Sequence, residues 1–355
     1  MDILKGIKVI DMSTVLAGPS VGSFLAELGA EVLKIENKRT KGDNTRTWKL
    51  DNESTPEHLS AYYLSVNYGK KLMYADLTDS KDLQQIKKLV KGTDIFLTNL
   101  SEAKLQTYNL DYSNLEKINK SLIYGWITGF FDQSERLAYD LILQAESGFM
   151  SINGSDTSGP LKMPVALIDV LAAHQLKEGI LTALLRRERN NEGSHIKVSL
   201  FQAAVSALTN QASNWLIANK LPGLSGSLHP NIAPYGEQCK TKDDKSIVLA
   251  IGSNRQFEGL CKFLELEKLP LDQRFQTNEM RVNNRLILLE FLQDAFKKVN
   301  STATLEYCHK NGIPVAEIKN IKEVFENTEA MELIIEQETE GYKSKYVKQQ
   351  AFKFP

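Results

Sequence analysis

Residues 7–36 read IKVIDMSTVLAGPSVGSFLAELGAEVLKIE, and this stretch decides the fold. Its apolar run at 7–12 reads as a buried strand. A loop at 13–17 follows, and Pro19 stands where a proline opens a helix, because its missing N–H would be unpaired there anyway. The helical pattern runs to Leu28, where Gly29 supplies the natural stop. A second strand occupies 31–36. Strand, helix and strand in this order form a βαβ unit, which argues for a parallel, doubly wound sheet. The loop STVLAGPSVG lacks the G-x-G-x-x-G of a dinucleotide site, so no nicotinamide cofactor is expected.

Working outward, the alternation continues with strands at 72–77, 94–100, 122–129 and 196–200, and helices at 80–91 and 139–150. From 211 to 235 the pattern dissolves into Pro, Gly, Ser and Asn, the composition of a linker. A second block then offers strands at 246–251 and 313–318, with helices at 255–266, 284–299, 302–311 and 321–335. The expected class is α/β. A large domain with a Rossmann-like parallel sheet occupies 1–210, the linker 211–235 and a smaller α/β domain 236–335. Residues 336–355 make a short return toward the large domain. The length of 355 residues matches a prior of about two to three domains.

Composition narrows the function. A formal net charge of -1 provides no field to attract nucleic acid. No apolar run approaches the ~20 residues of a membrane span. Cys239, Cys261 and Cys308 have no paired or C-x-x-C spacing, and the histidines (His58, His174, His195, His229, His309) have no metal-ligand spacing. A cytoplasmic protein without a metal is the expectation.

The segment MPVALIDVLAAHQLKEGILTALLRRERN begins with a short apolar run at 165–168 that stops at Asp169. A helical pattern follows, with Arg186, Arg187 and Arg189 in its last turn. Asp169 is therefore read at a strand-to-helix junction, where free backbone N–H groups favour a carboxylate. An ordinary N-cap and a nucleophile both suit that position. Basic residues gather at Lys38, Arg39, Lys41 and Arg46, and again at Lys70 and Lys71. Paired cationic clusters near strand ends suit a polyphosphate, and solvated surface charge accounts for them equally well. Trp48 and Tyr139 lie beside polar, loop-like sequence and suit pocket walls or simple packing.

Read together, the segments LKGIKVIDMSTVLAGPSVGSFLAELGAEVLKIE, KGDNTRTW, NYGKKLMYADL, LIYGWITGF, AYDLILQAESGFMSING, PVALIDVLAAHQLKEGILTALLRRERNNEGSHIKVSLFQAAV, NIAPYG and RFQTNEMRVNNR carry a resemblance. Their order and spacing resemble the class III coenzyme A transferases, the formyl-CoA transferase and carnitine-CoA transferase type. The resemblance implies that Asp169 is the catalytic aspartate. It implies that CoA is contacted by Val15, Leu16, Ala17, Lys38 or Arg39, Lys70 and Asn99, and that Trp48 and Tyr139 shape the substrate pocket. It also implies an interlocked homodimer, with an acyl-CoA and small carboxylic acids as partners. The sequence departs from the family at Thr107, near where an Arg is common, and has only GLSGS where the formate/oxalate enzyme carries a Gly-rich lid.

The activity implied is CoA transfer between carboxylic acids through covalent intermediates on Asp169. The TRTW and AYYLSVN segments resemble those of enzymes that use succinyl-CoA and dicarboxylates. The alternatives are an α-methylacyl-CoA racemase, which shares the fold, and a CoA-binding homologue without activity. The racemase expects a His–Asp pair where this chain has Tyr139–Asp140, and a phenol of ordinary pKa about 10 is a poor acid/base near neutrality.

Overall fold

The structure is a computed structural model that describes residues 2–131 and 136–353. Six parallel strands form the main sheet: β1 (Lys8–Met12), β2 (Glu31–Asn37), β3 (Lys70–Ala75), β4 (Ile95–Thr98), β5 (Ile123–Thr128) and β6 (Ser194–Ser199). Their spatial order is β3-β2-β1-β4-β5-β6. The expected parallel sheet is present, and its order reverses direction between β1 and β4.

Alternate residues of each strand serve opposite faces. Val9, Val32, Ile95, Leu97, Ile123 and Ile127 pack under helices α1 (Ala17–Glu27) and α5 (Leu167–Asn190). Ile10, Ile35, Phe96, Tyr124 and Trp126 pack on the other face against α2 (Ser80–Val90) and α3 (Glu102–Tyr108). Burial on both faces is why the central strands β4 (IFLT) and β5 (IYGWIT) read as nearly continuous apolar runs. Helix α4 (Asp140–Glu146) precedes α5, and α6 (Leu200–Ala207) follows β6.

The chain divides into two compact units. One comprises the residues up to Ser151, Lys162–Pro222 and everything from Glu329 onward. The other comprises Ile152–Leu161 and Gly223–Thr328, and holds an antiparallel sheet of β7 (Tyr235–Lys240), β8 (Ser246–Ala250) and β9 (Val315–Glu317). Its core joins Ile247 and Leu249 to Phe257, Leu260, Leu292 and Phe296.

Four features depart from the sequence reading. Residues 165–168 are not a strand; the helix starts at Leu167, and a short apolar run does not distinguish the two. Part of the expected linker is the helix Thr209–Leu216, and β7 begins at its end, Tyr235. The expected helix at 321–335 is two single turns, Ile321–Val324 and Thr328–Met331, followed by strand β10 (Ile334–Thr339). Strand β10 pairs with β11 (Tyr342–Val347) through a two-residue turn, with Glu340 at φ 52 and Gly341 at φ 79. Both positive values belong to the turn type that matches hairpin twist. The tail is thus a hairpin on the large unit, with Tyr346 stacked on Tyr68 at 4.8 Å.

Candidate active site

The reversal between β1 and β4 opens a crevice at their carboxyl ends, where ligands bind doubly wound sheets. Asn99, immediately after β4, closes this point like an extra backbone rung. Its Nδ2 donates to the Thr14 carbonyl (2.9 Å), and its Oδ1 accepts from the Thr14 N–H (3.0 Å). Val15 then adopts φ 72, an unfavourable conformation for a β-branched residue. The Val15 N–H is held by Asp43 Oδ2 at 2.9 Å, while Asp43 Oδ1 accepts from the Thr45 N–H at 3.0 Å. Two side chains from other loops therefore impose the strained turn. Leu16 follows as the N-cap of α1, and no side chain caps that helix. Its N-terminal N–H groups suit an anion.

Two cavities share Thr14, Val15, Leu100 and Lys104, so they form one elongated crevice. The first, of about 660 Å³, runs over the ends of β1, β2 and β3 and includes Arg39. The second, of about 710 Å³, lies before β4 and β5 and includes Leu16, Ala17, Asn99, Tyr139, Asp140 and Asp169. Lys197 from β6 reaches the second cavity, with its ammonium 4.5 Å above the Trp126 ring.

Asp169 is the third residue of α5 rather than its cap, and only 9% exposed. The cap is supplied across space. Asp140, the first residue of α4, accepts the Ile168 N–H on Oδ1 (2.7 Å) and the Gln144 amide on Oδ2 (2.6 Å). Gln144 in turn pairs with Met163, accepting its N–H at 2.7 Å and donating to its carbonyl at 3.2 Å. These bonds staple the starts of α4 and α5 together. Burial, and then the neighbouring Asp140 carboxylate, push Asp169 from 3.8 up to about 7. The helix N-terminus acts in the opposite sense. Tyr62 is pushed up to about 12 by burial, with Asp169, Asp140 and Asp43 adding to it, so its phenol keeps its proton.

The sequence-nominated residues divide accordingly. Val15, Leu16, Ala17, Arg39, Asn99, Tyr139 and Asp169 line the crevice. Lys38 is exposed and outside both linings. Trp48 is also outside them, with its ring against Tyr62 at 5.1 Å. Lys70 lines neither half of the crevice. It opens β3, and its buried ammonium bonds to Asp11 Oδ2 (2.9 Å), Asn67 Oδ1 (3.1 Å) and the carbonyls of Pro19 and Val66 (2.7 and 2.9 Å). Gly22 leaves room for this cluster, since a Cβ there would meet Asp11 Oδ2 at 2.7 Å. Despite burial, Lys34 and Lys70 hold Asp11 down at about 2. Arg46 likewise has a structural role, bonding Glu36 at 2.8 Å and Glu340 at 2.7 Å.

The sequence reading passed over Asp43, Tyr62, Lys104 and Lys197, and named Asp140 only as the neighbour of Tyr139. Lys104 carried the clearest signal, standing one helical turn before Thr107 on the same side of α3.

Crevice and carboxylate together define a doubly wound α/β protein shaped for an elongated, nucleotide-sized ligand. Comparison with known proteins identifies the family. Residues 4–354 match CoA-transferase family III, and the chain belongs to that family. A succinate–glutarate CoA-transferase of Agrobacterium fabrum is 37% identical over 328 residues, covering 91% of this chain and 81% of the relative. A succinyl-CoA:glutarate CoA-transferase of Homo sapiens is 34% identical over 340 residues, covering 94% and 76%. The crystal structure of a CaiB/BaiF family protein from Brucella suis superposes with a TM-score of 0.88 at 33% identity, covering 99% of this chain and 92% of that one. The protein is a CoA-transferase, with an acyl-CoA as substrate.

Proposed function

We propose that the protein exchanges CoA between a succinyl-type donor and a short dicarboxylic acid, with Asp169 as the nucleophile. One observation carries this reading: a buried carboxylate, Asp169, lines the same cavity as the Val15–Ala17 turn at the start of α1. The CoA pyrophosphate lies over the Val15–Ala17 turn at the start of α1. Arg39 and Lys104 meet its remaining phosphate charge. Lys104 takes the place of the Arg missing near Thr107.

In the first step an oxygen of ionised Asp169 attacks the donor thioester carbonyl. The C–S bond breaks, giving a mixed anhydride and CoA thiolate. The thiolate attacks the Asp169 carbonyl and releases the donor acid, leaving an enzyme thioester. The acceptor carboxylate attacks that thioester and expels the thiolate, which then takes the acceptor acyl group and restores Asp169. Each thioester replaces another, so the sequence needs no external energy source. Lys197 lines the cavity that holds Asp169, where a distal carboxylate needs a partner, and the protonated Tyr62 is close enough for the Asp169 charge to act on it. Dicarboxylates are favoured because the Agrobacterium fabrum and Homo sapiens relatives carry them in their names.

Racemisation fits less well, since among the described residues no histidine lines either half of the crevice. A second copy of the chain fits the apolar strip of Trp215, Leu216, Ile217 and Leu221, exposed by 53 to 82%. The unpaired, buried Cys239, Cys261 and Cys308 suit a reducing, cytoplasmic setting. Among the described residues no helix is long and apolar enough to cross a membrane. Intact-mass spectrometry after mixing with succinyl-CoA tests the mechanism. A CoA adduct forms on the native protein and is absent from Asp169→Asn; an equal adduct on both overturns the assignment.

A further inference from the structure

Helix α5 has a second face that CoA transfer does not use. Val170, Ala173 and Lys177 succeed one another at helical spacing and line a cavity of about 570 Å³. Leu64 and Val66 close one wall, and Tyr346 and Gln349 from the C-terminal segment close another. Of the residues lining the catalytic cavity only Leu16 also lines this one, so the two stand back to back across the start of α5. Leu16, Leu64, Val66, Val170, Tyr346 and Val347 supply its apolar lining, and Glu53, Lys345 and several hydroxyl side chains also border it.

Lys177 lies in this apolar wall with only 5% exposure. Its ammonium has three donors. It meets Gln349 Oε1 at 3.3 Å and sits 5.0 Å from the centre of the Phe24 ring. Among the described residues no carboxylate lies within ion-pair distance of it. Glu27, the nearest acid in its surroundings, is already engaged: it accepts the Tyr68 hydroxyl at 2.5 Å and the Gln349 and Gln350 N–H groups at 2.7 and 2.9 Å. Burial pulls the Lys177 ammonium down to about 8, with Glu27 opposing it. Lys70 and Lys34 make the contrast, since both share Asp11. A buried cation beside open apolar space without its own anion is costly, and an incoming anion relieves that cost.

We infer that this cavity binds an aliphatic carboxylate, with its headgroup on Lys177 and its hydrocarbon tail against Val170, Ala173 and Leu64. The required chemistry is one negative charge on an apolar body. Lys345 also borders the cavity but is exposed, so Lys177 is its buried cation, and Glu53 would oppose a ligand of high negative charge such as a nucleotide. The site stands on Lys177 and its cavity alone, whether or not Asp169 is the nucleophile.

Calorimetric titration of the full chain with octanoate, octanol and octylamine provides the test. Octanoate binds saturably, octanol binds at least about tenfold more weakly, and octylamine does not bind. Lys177→Met weakens octanoate by at least about tenfold, while Asp169→Asn leaves its affinity unchanged. Ser65→Trp at the rim keeps the charge, narrows the space and also weakens binding. The inference is overturned if octanoate fails to bind, if octanol binds as tightly, or if Lys177→Met retains full affinity. Loss of octanoate binding in Asp169→Asn also overturns it, by placing the acid in the catalytic cavity.

Discussion

Replacing Asp169 by asparagine should make the protein more stable at pH 8 while abolishing transfer. The buried carboxyl is pushed from 3.8 to about 7 by burial and by Asp140, so its ionised form is unfavourable in the folded state. Between pH 4 and 7, roughly, the native state keeps a proton that the unfolded chain has shed, and stability therefore falls as pH rises through that window. Above about pH 7 the full cost is present. At about 1.4 kcal/mol per pH unit, the displacement corresponds to a ceiling of roughly 4 kcal/mol. Water in the crevice and the α5 N-terminus reduce it, and about 2 kcal/mol is the expected gain for Asn, which keeps the shape without the charge. Urea unfolding of both proteins at pH 5 and pH 8 measures it. The midpoint of Asp169→Asn should exceed the native one at pH 8, and the gap should shrink to roughly 40% of that at pH 5, part-way down the window. Equal gaps at both values, or transfer by the variant, would refute the reasoning.

Asp140→Asn keeps an acceptor for the Ile168 N–H but removes the second charge, so the acidic limb of kcat/KM should move to lower pH; an unmoved limb excludes Asp140 as the tuning group. For the native enzyme that limb should lie near pH 7, with activity falling about tenfold per pH unit below it. Lys70→Met should lower stability by up to about 3 kcal/mol, by leaving buried Asp11 with Lys34 alone, and leave KM for CoA unchanged; a raised KM with unaltered unfolding would return Lys70 to the crevice. Lys197→Met should raise KM for a dicarboxylate acceptor more than for a monocarboxylate of equal length, and equal effects on both would remove Lys197 from the distal-carboxylate role.

The sheet was legible because apolar segments alternate with helical patterns along the chain, most plainly at β4 (IFLT) and β5 (IYGWIT), which are buried on both faces. Strand β7 was not, because it buries a polar residue: Glu237 is 2% exposed and pairs with Arg285 at 2.9 Å, which hides the alternation. The β10–β11 hairpin was missed because IIEQET continues a plausible helical pattern, and only long-range packing on Tyr68 decides otherwise. At the site, the family resemblance singled out Asp169, while its environment depends on Asp140 across 29 residues of chain. Lys70 shows the limit of reading charge clusters from sequence. A lysine beside a lysine looks like a surface cluster until β1 places Asp11 under one of them.

The ion pair between Arg46 and Glu340 joins residues 294 apart. Arg46 also holds Glu36 at the end of β2, one wall of the crevice. On a ribosome adding about 5–20 residues per second, Arg46 emerges roughly 15–60 s before its second carboxylate is made. Through that interval the nascent large unit carries a cation, Tyr63 and a crevice wall awaiting Glu340. The β10–β11 hairpin therefore supplies a partner that the Arg46 cluster lacks until late in synthesis, and a chain released before Glu340 leaves that crevice wall one ion pair short.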